Sequence, residues 1–233
     1  MGKGYIYSDQ KTLFGGGDVV GFGVNDFYIQ VIDRDIANDI IVNNHYSKKY
    51  FNNSYIHLGI FLNNEMVGVL QYGFSMNASS AKNIVPNTKA ENHLELNRMW
   101  IDDKAGRNTE SRAISYSIKF IKKAHPAVWW IQSFADERCG CWGIVYQASN
   151  FGYYGEHKSV FWELDGVTYH NISASAKRDK AGDSGIYLQD NIDRATRHTF
   201  RQFRYLYFIK QKYKKDCLLK EQPYPKYYDV SNG

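Results

Sequence analysis

From Phe27 onward the apolar positions follow two alternating periods. Residues 28–32 read as a strand, and Asp33 then opens a helix with Ile36, Ile40 and Ile41 along one face, ending near His45. Residues 55–62 and 66–74 are apolar runs joined by Asn63-Asn64-Glu65, a polar turn that predicts an antiparallel hairpin. Residues 94–101 give a further strand. Asn108 or Thr109 caps a helix that aligns Ile114, Ile118 and Ile121 before Pro126 stops it. A strand over 128–134, a short helix over 142–149 and strands over 151–156 and 160–164 follow. The hairpin is antiparallel, whereas a helical crossover joins parallel neighbours. The order β-α-β-β-β-α-β-α-β-β therefore predicts an α/β fold: a mixed, mostly antiparallel sheet with helices on both faces.

Three regions divide the chain. Residues 1–26, with Gly15, Gly16, Gly17, Gly21 and Gly23, carry neither period and read as a loop-rich lead-in; residues 27–170 form the core. Residues 171–233 form a basic extension packed on that core, polar and turn-rich to 193, with a last strand over 203–210. The glycine tract is no phosphate loop, because Asp18-Val19-Val20 follows it where a Lys and a Ser or Thr are required.

Composition narrows the class. With 233 residues, 43% of them hydrophobic, the chain can bury one substantial core, which excludes disorder. No window reaches the roughly 18 apolar residues of a membrane span, and the first residues lack a signal peptide's apolar centre. Three cysteines leave no even disulfide framework, so the expected location is the cytoplasm. Cys139-Gly140-Cys141 lacks a second Cys or His pair and reads as structural rather than zinc-binding, and no Gly-x-Ser-x-Gly elbow supports a serine hydrolase.

The net charge of +5 is concentrated late. Residues 194–215 contain Arg194, Arg197, Arg201, Arg204, Lys210, Lys212, Lys214 and Lys215, interleaved with Phe and Tyr, and only basic charges. Cations release counterions from phosphates and aromatic faces stack bases, so Arg194, Arg197, Arg201, Arg204 and Lys212 are candidate contacts to double-stranded DNA. The alternative is a basic edge strand protected against aggregation.

Candidate chemistry gathers at strand ends. Asp136 follows the strand over 128–134, at the edge where open α/β sheets place ligand crevices, and is the candidate general base; the alternative is a helix cap. His45 could cap the first helix as a cation or act together with Tyr46. Arg98 either pairs with Glu95 or Asp102 or holds a substrate phosphate or donor carboxylate. Tyr146 and Asn150, four apart, share a helix face directed at the same crevice, unless Tyr146 is a core residue.

The element order resembles the GNAT acyltransferase fold. Members carry a glycine-rich turn for the coenzyme A pyrophosphate between the fourth strand and the next helix. Here that stretch is Lys104-Ala105-Gly106-Arg107-Asn108-Thr109-Glu110-Ser111-Arg112, in which Arg107, Ser111 and Arg112 are candidate anion contacts at the helix start. It does not match the acyl-CoA signature, so acetyl-CoA use is in doubt.

Over roughly residues 30–165 the chain also resembles the phage Mom-type DNA adenine modification proteins, a divergent GNAT-like family. The resemblance is carried, in order, by His45-Tyr46-Ser47, Leu58-Gly59-Ile60-Phe61, Glu95-Leu96-Asn97-Arg98-Met99, Phe134-Ala135-Asp136 and Tyr146-Gln147-Ala148-Ser149-Asn150-Phe151. It implies transfer of a small amide-bearing, carbamoylmethyl-type group from a small-molecule donor to the exocyclic amine of adenine, protecting phage DNA from restriction in the host cytoplasm. It further implies catalytic roles for His45, Tyr46, Arg98, Asp136 and Tyr146, and an iron dependence with His45 and Tyr46 as candidate ligands. Two rivals are an ordinary acyl-CoA N-acyltransferase and a non-catalytic DNA-binding module on the same scaffold.

Overall fold

Among the described residues ten strands make one sheet: β1 (Gly4–Lys11), β2 (Gly17–Val24), β3 (Phe27–Val31), β4 (Ser54–Leu62), β5 (Glu65–Gly73), β6 (His93–Ile101), β7 (Trp130–Asp136), β8 (Gly152–Leu164), β9 (Val167–His170) and β10 (Thr196–Phe208). The computed structural model describes residues 4–11, 17–140 and 142–226. The helices are α1 (Arg34–Asn44), α2 (Thr109–Ala124), α3 (Ile144–Ala148), α4 (Asn171–Ser175) and α5 (Gly182–Asp190). Spatial order is β1-β2-β3-β4-β5-β6-β7-β10-β8-β9. Among the described strands every pairing is antiparallel except β6 with β7, which α2 connects.

Local chemistry accounts for the predicted elements. Asn63 and Asn64 both adopt positive φ, 51° and 68°, so the hairpin of β4 and β5 closes through a two-residue turn whose twist suits antiparallel strands. Asp33 caps α1 by accepting the Asp35 amide at 2.7 Å. On α2, Ile114, Ile118 and Ile121 are buried against one face of the sheet with Leu70, Leu96 and Ile131, and the Tyr72 hydroxyl meets Ser117 Oγ at 2.5 Å. On the other face α1 covers β4 to β6. Ile84, Val85, Trp130, Leu206 and Phe208 form a second cluster there, beside Tyr213 and Leu219.

The structure corrects several expectations. The described part of the lead-in is largely strand: β1 and β2 extend the sheet, with Gly23 paired to Tyr28 so closely that a Cβ would collide with its backbone. Gly15 and Gly16 lie outside the described residues. The two strands predicted over 151–164 are one, β8, and the polar stretch over 171–193 holds α4 and α5, which add a satellite cluster of Leu164, Tyr169 and Leu188. The late strand begins at Thr196 and lies inside the sheet, between β7 and β8, so it is no edge strand. On α1 the buried residues are Ala37 and Ile41, whereas Ile36 is 48% exposed.

That last difference is measurable. Ile41→Ala should destabilise the protein by about 2–5 kcal/mol in urea unfolding, as truncation of a fully buried isoleucine does, while Ile36→Ala should stay within about 0.5 kcal/mol. Equal losses would return both residues to the core.

Candidate active site at the β6/β7 wedge

The parallel ladder between β6 and β7 is short. It pairs His93 with Trp130, Leu94 with Ile131 and Glu95 with Gln132, although β6 continues to Ile101 and β7 to Asp136. Beyond Glu95 a side chain bridges the strands, Ser133 Oγ donating to Leu96 O at 3.3 Å. The strands thus diverge into a wedge with Glu95 and Gln132 at its apex and Asp136 at its mouth.

Strand alternation divides the wedge between the two faces. Gln132, Phe134 and Asp136 share one face with Glu95, Arg98 and, on β10, Gln202 and Arg204; this is the face that α1 covers further along, through Gln71 and Asn38. Ser133 and Ala135 lie on the α2 face with Phe203 and Tyr205.

At the mouth, His45 ends α1, its amide bonded to Ile41 O at 2.9 Å, so it does occupy the helix C-terminus. It does not sit there as a cation. It is only 7% exposed, and burial together with the Arg98 charge pulls its pKa down to about 4. Nδ1 accepts the Ser47 amide at 3.1 Å, which places the neutral ring's proton on Nε2. Tyr46 packs its ring on His45, centroids 4.2 Å apart. Its outer edge is open, 58% exposed, while desolvation around the hydroxyl, followed by Cys139 and Asp136, pushes its pKa upward against Arg98 and Arg138.

Arg98 donates from Nε to Lys49 O at 3.0 Å and from a terminal nitrogen to Asn97 O at 2.7 Å, and its guanidinium lies 5.7 Å from the Phe51 ring. The expected alternatives are not its hydrogen-bond partners: Glu95 accepts from Gln132 at 2.7 Å and Asn97 at 3.3 Å, and Asp102 caps a turn through the Lys104 amide at 2.9 Å. Burial pushes the Glu95 carboxyl upward, and those two hydrogen bonds oppose it.

Asp136 is 7% exposed and doubly engaged. It caps the 3-10 turn Glu137–Cys139 by accepting the Arg138 amide at 3.0 Å, and its two oxygens take the Arg138 guanidinium at 2.5–3.1 Å. Arg138 in turn lies 3.8 Å over the Phe161 ring. The capping alternative is therefore realised, with an ion pair added. Tyr146 stands on the other face, 5.4 Å from the Tyr205 ring and 5.7 Å from Phe151, because Gly143, at φ 77°, packs where a Cβ would enter the Tyr205 ring. Asn150 lies beyond α3 in a left-handed conformation, φ 62°, so the shared helix face expected for the two is absent.

Arg107, Ser111 and Arg112 line a pocket of about 470 Å³ at the start of α2. Ser111 donates to Asn108 O at 3.2 Å, and Arg112 lies 4.2 Å over Phe27. The predicted basic surface is divided. Arg197 and Arg201 are on the α2 face of β10, Arg204 is on the opposite face over Phe134, and Lys212 lies past the far end of the strand, 4.8 Å over Tyr213. Carboxylates from elsewhere hold Arg194, through Asp165 at 2.8 Å, and Arg201, through Glu137 at 2.8 Å.

The Mom protein family model matches residues 26–226, from β3 through the end of the described chain. The chain belongs to the Mom protein family. It is 47% identical over 213 residues to methylcarbamoylase mom of Escherichia phage Mu, covering 90% of this chain and 88% of that protein. Solved structures overlay more loosely. A ribosomal-protein-S5-alanine acetyltransferase from Vibrio fischeri covers 81% of this chain and 96% of its own at 13% identity, TM-score 0.47. An N-acetyltransferase from Staphylococcus aureus Mu50 covers 79% and 99% at 13% identity, TM-score 0.46. The GNAT-like arrangement rests on the strand order and the wedge themselves, and the protein is a transferase.

In this Mom chain, four of the five residues expected at the site, His45, Tyr46, Arg98 and Asp136, meet at the wedge mouth, and Tyr146 does not. Sequence reasoning passed over Arg138, Gln132 and Glu95 as site residues, and grouped Arg204 with Arg197 and Arg201, whereas it lies on the opposite face of β10. A resident iron fits poorly. Among the described residues no three His, Cys, Asp or Glu side chains converge as a metal site, and the Tyr46 hydroxyl is flanked by the charges of Arg98 and Arg138. Cys141 lies outside the described residues. No described helix is long and apolar enough to cross a membrane.

The state of His45 yields a prediction. With its pKa lowered, the folded protein binds this proton only near pH 4, whereas the unfolded chain binds it near 6.5, so its contribution to stability is complete above pH 6.5 and is lost as pH falls toward 4. Ring NMR signals should show His45 neutral from pH 8 to 5, with the midpoint rising in Arg98→Gln. A wild-type midpoint above 6 would refute this electrostatic picture.

Proposed function

We propose that this protein modifies DNA, transferring a small amide-bearing group of the carbamoylmethyl type from a small-molecule donor to the exocyclic amine of adenine. The carrying observation is the wedge: the only parallel strand pair among the described strands opens beyond Glu95 and Gln132, and His45, Tyr46, Arg98 and Asp136 surround its mouth. The relative from phage Mu, named a methylcarbamoylase, supports transfer of a small amide-bearing group.

An adenine paired in a duplex cannot present its amine at such a mouth, so the base must be extruded, at a cost of a few kcal/mol. Tyr46, open on one edge and backed by the neutral His45 ring, offers a face on which the extruded base stacks. The amine nitrogen attacks the donor's methylene carbon. The N–C bond forms as the bond to the leaving group breaks, the leaving group departs with the electron pair, and the amine's proton passes to a base. Asp136 is that base in this reading. Arg138 occupies both of its oxygens at rest, so the guanidinium must swing away, and an incoming DNA phosphate is the anion that draws it. Arg98, held by two carbonyls, places a fixed positive charge toward the leaving group. A group on the amine alters a major-groove donor, which would shield phage DNA from restriction.

Two outcomes test the reading. DNA from cells expressing the protein should yield a deoxyadenosine heavier than normal on nucleoside mass spectrometry, and Asp136→Asn should lower its yield about 100- to 10,000-fold while preserving the fold. Asn caps helices about as well as Asp, so near wild-type yield would leave Asp136 only its capping role. For DNA binding, Arg197 and Lys212 are exposed, and Ala at each should reduce the salt slope by up to about 0.9 if they contact duplex phosphates. Unchanged slopes would place the duplex elsewhere.

A further inference from the structure

The apex of the wedge holds one buried acceptor and one buried donor that nothing satisfies. Gln132, 6% exposed, gives its amide nitrogen to Glu95 Oε2 at 2.7 Å, and its oxygen is left buried without a hydrogen-bond partner. The Asn97 amide and the Arg98 and Arg204 charges favour the ionised form of Glu95 against burial, and an ionised carboxylate only accepts, so in that form the bond sets which way the amide faces. Asn97 donates to the other Glu95 oxygen at 3.3 Å and holds the carboxylate in place. On the neighbouring strand, Arg204 Nε is buried and equally unpartnered. The register pairs Leu206 with Gln132 and Arg204 with Phe134, so Arg204 is the diagonal neighbour of Gln132 on the same face. The Glu95 charge acts on the Arg204 guanidinium.

Native interiors rarely leave such groups unpaired, because each forfeits the hydrogen bonds it had in water. A buried acceptor with a buried donor diagonal to it on the same face suits a primary carboxamide, whose N–H and C=O stand side by side on one carbon. We propose that Gln132 and Arg204 form a carboxamide subsite, Gln132 Oε1 accepting an amide N–H and Arg204 Nε donating to the amide carbonyl, with Glu95 as the residue that orients Gln132.

The alternative ligand edge with the same pattern is the amino base itself, and spacing disfavours it. Gln132 and Asp136 are four residues apart on one strand, about 13 Å at the usual rise. An amine hydrogen-bonded to Gln132 would be out of reach of Asp136. A carboxamide held at the apex places the attacked methylene, and the amine beyond it, nearer to Asp136 than an amine held by Gln132 itself. This subsite deepens the proposed function and rests on it for the identity of the transferred group.

The probes are acetamide, acetate, and two nucleosides, N6-carbamoylmethyl-deoxyadenosine and its apolar counterpart N6-propyl-deoxyadenosine. Saturation-transfer NMR on the full chain should detect acetamide but not acetate at equal millimolar concentration. The carbamoylmethyl nucleoside should bind at least about 10-fold more tightly than the propyl one. Gln132→Met, close in shape but without the acceptor, should bring the two nucleosides to within about 2-fold and abolish the acetamide signal. Glu95→Gln should act the same way by a different route, since its new amide can donate to Gln132 Oε1 and occupy it. Either variant, if folded by circular dichroism, is sufficient. Equal binding of the two nucleosides and no acetamide signal in the wild-type protein, or preferences that survive both substitutions, would overturn the subsite. Gln132-dependent acetamide binding with no binding of either nucleoside would uphold the subsite and remove adenine from the proposed function.

Discussion

Everything at the site depends on how far two parallel strands stay paired. In an antiparallel sheet each strand satisfies its neighbour along its whole length, as β8 and β10 do over most of their 13 residues each. Between β6 and β7 the ladder covers three residue pairs and stops. The connection through α2 lets the strands part, since a crossover helix fixes their direction and leaves their separation free at the carboxyl ends. The unpaired backbone edges then face each other across a gap. Among the described strands, that gap lies at the one parallel pairing, where a ligand can enter between strands without displacing a neighbour.

The placement of charge follows from the same gap. Polar side chains there are not covered by apolar packing alone, and the protein steadies them by reciprocal bonds. Glu95 holds Gln132, Arg138 holds Asp136, and the carbonyls of Lys49 and Asn97 hold Arg98. Each of these bonds fixes orientation at some expense in freedom, which is how a site is kept ready before its substrates arrive. His45 is the exception in charge: it is neutral because burial and Arg98 together oppose protonation. Its neutral ring and the high-pKa Tyr46 hydroxyl make that corner of the mouth a hydrogen-bonding and stacking surface rather than a second ion pair.

Much of the scaffold was legible because periodicity reports burial directly. The hairpin turn at Asn63-Asn64, the Asp33 cap and the Ile114-Ile118-Ile121 stripe each encode their structure locally. The elements that escaped do so for identifiable reasons. β2 is rich in glycine where strands approach closely, so it carries little hydrophobic alternation. The first half of β10 looks like a solvated basic segment because the carboxylate that meets Arg201 comes from Glu137, 64 residues earlier in the chain. A composition count along the sequence cannot see that neutralisation. The wedge left no sequence mark at all, since it is a missing stretch of backbone pairing.

The site residues divide on the same principle. Asp136 and Arg98 were readable as polar residues at strand ends or in alternating strands. Arg138, two residues after Asp136, was readable in principle, because that spacing lets a capping carboxylate also take the guanidinium that follows. Gln132 is the more instructive miss. It sits in Trp130-Ile131-Gln132-Ser133-Phe134, a strand with neighbours on both sides, where a polar side chain on the buried face needs a partner. One half of its amide finds Glu95; the other half finds nothing within the protein. Protein interiors rarely leave such an oxygen unpaired, so here a missing hydrogen-bond partner, rather than a cavity or a charge, is the observation that points to a ligand.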